Sequence, residues 1–143
     1  MKKKIIFYSI ISLLVVVFIF LKSNENREKN LGELFHDIDG LNYLEFDLHD
    51  GSYDDAWRTD KIQALEELKE FMSLYQVKKM TDEEWNSIQP KGISFQMFIS
   101  SKNNLIVSSF YEERLFVGDS AYKVINGPID MEWVRNFDER YKN

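Results

Sequence analysis

Residues 93–126, ISFQMFISSKNNLIVSSFYEERLFVGDSAYKVIN, decide the fold. Ile93, Phe95, Met97 and Ile99 alternate with Ser94, Gln96 and Phe98, and a period of two belongs to a strand with one apolar face. The polar SKNN turns the chain, and LIVSSFY, RLFVG and YKVIN follow at short intervals, parted by Glu112-Glu113 and by DSA. Four strands in such close succession predict an antiparallel meander.

Upstream, Thr81 and Glu84 in TDEEWNSI have capping-box spacing for a single helical turn, closed off by Pro90 and Gly92. The clearest helix is DKIQALEELKEFMSLYQ, residues 60–76. Asp60 and Gln63 mark its start, Ile62, Leu65, Leu68, Met72 and Tyr75 form one stripe, and Glu66, Glu67, Lys69 and Glu70 face away. Before it, LNYLEFDL sets Leu44, Phe46 and Leu48 against Leu41, Tyr43, Glu45 and Asp47, and Asp50-Gly51 turns this strand into a weaker one over Tyr53 to Arg58. A short turn is expected at Leu34 to Ile38. Downstream, Ile129, Trp133, Phe137 and Tyr141 recur four apart and predict a last helix against the sheet. The order ββα, short turn, ββββ, α predicts an α+β two-layer domain, an antiparallel sheet with its helices on one face. Of the eleven Phe, seven Tyr and three Trp, eight, six and three fall within the last 110 residues or so and supply a large core.

The chain starts MKKKIIFYSIISLLVVVFIFLKSNENREKN. Three lysines before an uncharged run from Ile5 to Leu21 predict a signal-anchor transmembrane helix over 1–22, then a polar tether over 23–33 and an extracytoplasmic domain over 34–143. Lysines 2–4 keep the N-terminus cytoplasmic under the positive-inside rule. A cleaved secretory signal shares the basic start, and Ser23 marks a poor cleavage site. Removal there makes the domain a secreted one; the length of the run and the lack of an A-x-A site favour retention.

Beyond residue 22 stand 14 Lys and Arg against 24 Asp and Glu, a net charge of −10. That excess argues against nucleic acid and polyanionic polymers and leaves divalent metals, basic peptides or a basic protein face as partners. With no cysteine there is no thiol nucleophile, iron-sulfur cluster or cysteine zinc site. The anchor, the hairpin, TDKIQALEEL and YKVING before a short helix resemble the small membrane-anchored and lipoprotein-type extracytoplasmic proteins of Gram-positive bacteria. The likeness covers most of residues 40–127 and implies an address and a fold more than an activity. The chain departs from the lipoprotein form, because no cysteine follows the apolar run.

Candidate chemistry gathers in HDIDGLNYLEFDLHDGSYDDA, residues 36–56, which holds both histidines and seven acidic side chains. Helix-loop-helix calcium loops fail in both registers: with Gly40 sixth, Phe35 and Phe46 take ligand positions, and with Gly51 sixth, Phe46 and Trp57 do. A zinc site would need His36 and His49 to converge with an aspartate such as Asp50, while turn chemistry alone also explains the acids. A hydrolase would draw on Ser52 or Ser120 with His49, but there is no G-x-S-x-G elbow. With 24 acids a glycosidase pair can always be nominated, and no phosphate-binding glycine loop occurs. No catalytic residue and no cofactor is assigned, and the chain is read as no enzyme. Asp50, Tyr53, Asp54, Asp55 and Trp57 form the candidate partner-binding set, with core or surface placement open for Trp57 and Trp85. The expected function is a membrane-tethered, non-catalytic protein-binding domain, immunity- or inhibitor-like or an accessory subunit of an envelope complex. The alternative is a metal-binding domain at the 36–56 hairpin.

Overall fold

The computed structural model describes residues 2–25, 27–35, 38, 40–51, 56–87, 89 and 92–142, with side chains in the first stretch from Tyr8 to Ser23. The chain runs α1 (Lys2–Glu25), β1 (Lys29–Asn30), a 3₁₀ turn (Leu31–Phe35), β2 (Leu41–His49), β3 (Trp57–Thr59), α2 (Ile62–Met72) and β4 (Gln76–Lys79). It continues through α3 (Asp82–Ser87), β5 (Ser94–Ser101), β6 (Leu105–Tyr111), β7 (Arg114–Val117), β8 (Ser120–Val124) and α4 (Met131–Tyr141). All strands join one antiparallel sheet in the order β1-β4-β8-β7-β6-β5-β2-β3.

The meander β5 to β8 and strand β2 stand where the alternation placed them, but the partner of β2 is Trp57–Thr59 and not Tyr53 to Arg58: Phe46 lies opposite Trp57, so no tight turn at Asp50-Gly51 joins the two, and Tyr53 to Asp55 lie outside the described residues. On the inner face Leu44, Phe46, Phe95, Met97, Phe110 and Leu115 are sealed from solvent. Against them lie Ala64, Leu65, Leu68 and Met72 of α2, and Val134 and Phe137 of α4. Ile62 of the expected α2 stripe stays 52 % exposed, and the helix begins one residue later than Asp60 implied, with Lys61 at the N-cap and no side-chain cap. Asp130 caps α4 as an acceptor from the backbone N–H groups of Glu132 and Trp133 at 3.0 and 3.1 Å.

A continuous column of rings fills the centre. Phe35 stacks toward Phe110 at 6.3 Å, Phe110 on Phe95 at 4.5 Å, Phe95 on Phe46 at 5.3 Å and Phe46 on Trp57 at 5.4 Å. At its end the Trp57 indole N–H donates to Asp138 Oδ1 of α4 at 2.7 Å, both groups being buried. The 3₁₀ turn and the C-terminal helix are thereby fixed to the same sheet face.

Four expectations change. The N-terminal transmembrane helix is corrected: among the described residues no helix is long and apolar enough to cross a membrane. The uncharged run from Ile5 to Leu21, 17 residues, is bounded by lysines at both ends and measures about 25 Å, short of the roughly 30 Å hydrocarbon core. Second, the stretch read as tether is partly built into the domain. Leu31 and Phe35 are fully buried, the Leu31 N–H donates to the Tyr75 carbonyl at 2.9 Å, and Asn30 Nδ2 donates to the Ser73 carbonyl at 2.7 Å. The backbone approaches closely there, since a Cβ on Gly32 would sit 2.2 Å from Ser73 Oγ and would force that side chain to shift. Third, the sheet has eight strands instead of six, because the polar segments KN and QVKK also pair, Val77 lying opposite Val124. Fourth, the helices are not all on one face. Trp85 of α3 packs on Phe116 at 4.1 Å, on the side opposite Leu115.

The Trp57 contact is an expected weak point. Trp57→Phe removes the donor to a buried carboxylate and should lower stability by about 1.5–3 kcal/mol in urea unfolding, whereas Phe46→Ala should cost about 3–5 kcal/mol through lost burial.

Burial, together with the hydrogen bond its hydroxyl donates to Glu67 Oε2 at 2.8 Å, raises the pKa of Tyr141 above the ordinary phenol value. The folded state holds this proton more tightly than the unfolded state, so the contribution is complete below pH of about 10 and is lost as pH rises through the raised value. Absorbance titration at 295 nm should show one late-ionising tyrosine. Tyr141→Phe should remove both that step and the matching alkaline fall in unfolding midpoint.

Candidate binding face

A period of two that sends Phe95, Met97 and Ile99 inward must send Ser94, Gln96, Phe98 and Ser100 outward, and register carries the same rule to neighbouring strands. Across the outer face one row reads Arg58, Glu45, Phe98, Val107. The next row on one side reads Tyr43, Ser100, Leu105, and on the other Asp47, Gln96, Ser109, Phe116. Leu105 is 62 % and Val107 41 % exposed, so apolar side chains stand uncovered toward the SKNN end of the β5–β6 hairpin, where pairing to β7 stops at Ser108.

On β2 this apolar floor has an acidic border. Glu45 accepts from Arg58 Nε at 3.1 Å, and the Arg58 guanidinium lies 4.1 Å over the Tyr43 ring. The hydrogen bond to Glu45 pushes the guanidinium pKa above its usual range. His49 Nε2 lies 3.4 Å from Asp47 Oδ2.

On β7 and β8 the border is α3. Thr81 and Glu84 form the expected capping box, with the Thr81 N–H donating to Glu84 Oε2 at 2.8 Å and the Glu84 N–H to Thr81 Oγ1 at 3.2 Å. The Thr81 N–H first, and then the Lys123 charge at 3.9 Å, hold the Glu84 carboxyl below its ordinary value. Arg114 is 3 % exposed, donates to the Trp85 carbonyl at 2.8 Å, and lies 4.1 and 5.4 Å from the Trp85 and Tyr111 ring centroids. An open depression of about 920 Å³ beside it is lined by Tyr111, Glu112, Glu113, Arg114, Lys123 and Pro128 among others.

The residues singled out in the sequence fall as follows. His36, Tyr53, Asp54 and Asp55 lie outside the described residues. His49 and Asp50 have separate neighbours, Asp47 for the first and Arg135 Nε at 3.7 Å for the second. Among the described residues no three His, Cys, Asp or Glu gather as metal ligands. Trp57 takes the core placement, and Trp85 the half-buried one on the outer face. Ser52 lies outside the described residues. Ser120 is on β8 and His49 on β2, four strand spacings or about 19 Å apart across the sheet, which leaves the pair without hydrogen-bond contact. Sequence reasoning missed Phe98, Leu105 and Val107. The available signal was apolar residues on the strand phase opposite the core.

Against known proteins the chain matches no family model, no curated protein and no solved structure.

Arg114→Lys keeps the charge but loses the planar stack on Trp85. It should cost about 1–2 kcal/mol and shift Trp85 fluorescence to the red in the folded state.

Proposed function

We propose that this chain is a non-catalytic, extracytoplasmic protein-binding domain that takes a basic partner on the outer face of its sheet. One observation carries the reading: Leu105 and Val107 lie exposed beside the half-buried Phe98, on a face that Glu45 and Asp47 border. An apolar centre within a polar rim is the usual anatomy of a protein interface. The net charge of −10 beyond residue 22 favours a basic partner through attraction at long range and complementarity at contact. The extracytoplasmic address rests on the lysines followed by an apolar run, a start that secretory signals share. An immunity or inhibitor role against a secreted cationic protein fits this chemistry, as does an accessory role in an envelope complex.

A photo-crosslinking residue at Val107, compared with one at the solvated Glu66 of α2, tests the reading. Capture from Val107 alone, of a protein that then binds directly when purified and carries net positive charge, supports it; equal capture from both positions sinks it. Val107→Glu should weaken that binding tenfold or more, about 1.4 kcal/mol, while leaving unfolding stability within about 0.5 kcal/mol.

A further inference from the structure

A sheet edge invites a strand from outside, and most edges of this sheet are blunted. β1 and β3 have two and three residues, and the overhang of β2 past β3, Leu41 to Tyr43, carries a register shift against β5. β6 differs. It keeps register with β5 from Leu105 opposite Ser100 to Tyr111 opposite Ser94, while β7 pairs only with Ser108 to Phe110, so Leu105 to Val107 overhang β7 by about 10 Å. The Ser101 N–H donates to the Asn104 carbonyl at 2.8 Å, which makes Ser101 and Asn104 a hydrogen-bonded pair and the next pair, Ser100 and Leu105, a non-bonded one. Leu105 and Val107 therefore turn their backbone groups away from β5, into the lane of β7. The Gly118 N–H donates to the Val107 carbonyl at 2.9 Å, and past that bond no group among the described residues reaches the Leu105 N–H or C=O. The lane itself is open, since a Cβ on Gly118 would meet nothing within 4 Å. Asp119, in the turn at the head of the lane, is exposed and makes no ion pair among the described residues. The Lys102 side chain lies against Gly40, on the β2 side of the hairpin.

We infer that the partner supplies its N-terminal segment as an added strand in this lane, antiparallel to β6; this rests on the protein partner proposed above. An antiparallel strand exchanges two backbone bonds with a single residue, here Leu105, and sets a side chain beside it on the outer face. An apolar residue there covers Leu105 and reaches Val107 on the diagonal. Laid this way, the strand has its start at Gly118, with room for one residue before the one opposite Leu105. A chain that begins at that point needs no bend, and its α-ammonium faces Asp119. A parallel strand would bring its carboxyl side to the same acid. A second copy would set one excess of acid against another, −10 beyond residue 22 on each.

The test uses the full chain in mild detergent with synthetic seven-residue peptides that alternate threonine and isoleucine from the first residue and end in a lysine amide. One has a free amino terminus, one is acetylated, and one is free but N-methylated at its second residue, the one set opposite Leu105. Amide hydrogen exchange reports the site and calorimetry the affinity. At saturation the free peptide should slow exchange of the Leu105 and Val107 amides at least tenfold. Acetylation should weaken binding about fivefold, and N-methylation should abolish it. Asp119→Asn should weaken the free peptide by the same factor and leave the acetylated one unchanged. Equal binding of free and acetylated peptides, protection on β1 or β3 in place of β6, or undiminished binding of the N-methylated peptide each overturns the inference. If a basic protein crosslinks through Val107 while the Leu105 amide exchanges freely with it and with the peptides, the strand is wrong and the docking face stands. If neither protein nor peptide engages the face, both fall.

Discussion

Everything in this fold depends on the column of stacked rings that runs from Phe35 through Phe110, Phe95 and Phe46 to Trp57. The column crosses strands far apart in sequence and joins the 3₁₀ turn after α1 to the C-terminal helix, where Asp138 accepts from Trp57. Each stacked pair adds about 0.5–1.5 kcal/mol beyond burial, but the larger effect is on register. A one-residue slip of β5 would carry Phe95 to solvent and Phe98 inward, breaking two ring contacts for one gained side chain. The inner face therefore fixes the outer one.

That coupling explains how exposed apolar groups persist at Leu105 and Val107. They are not failures of the core, which is complete without them, since Ile99, Phe110 and Leu115 are already sealed beneath. Exposed apolar groups at a hairpin end are a hazard for self-association, and the structure manages it elsewhere. Both edge strands are short, and the excess of acid beyond residue 22 repels a second copy. Approach of a partner with the opposite charge meets no such barrier.

The meander and α2 were legible because apolar periodicity there is strong and the core obeys it: Phe95, Met97 and Ile99 go inward as their spacing dictates. β1 and β4 were not, because Lys29, Asn30, Lys78 and Lys79 have no strand pattern of their own and join the sheet through backbone pairing to β8 and to each other. The capping box of α3 was readable at Thr81 and Glu84, but not the face on which α3 lands. That is decided by Trp85 meeting Phe116 and Arg114, residues about 30 positions away. The apolar run at the N-terminus invited a spanning reading that its length does not support. For the site, attention went to the acids of residues 36–56, whereas the apolar floor announced itself more quietly, in LIVSSFY, whose two strand phases both carry apolar residues.

α3 also decides how the basic end of the outer face is compensated. Arg114, Lys123 and Lys78 lie directly opposite one another on β7, β8 and β4, and like charges in register across a sheet repel. Without α3 this end of the face would be left cationic. The capping box holds Glu84 as a carboxylate 3.9 Å from Lys123, and the Trp85 ring and carbonyl occupy Arg114. On β2 the Arg58 guanidinium does the same for Glu45, so at both borders of the floor acid and base are paired, and a six-residue helix supplies the acid for one of them.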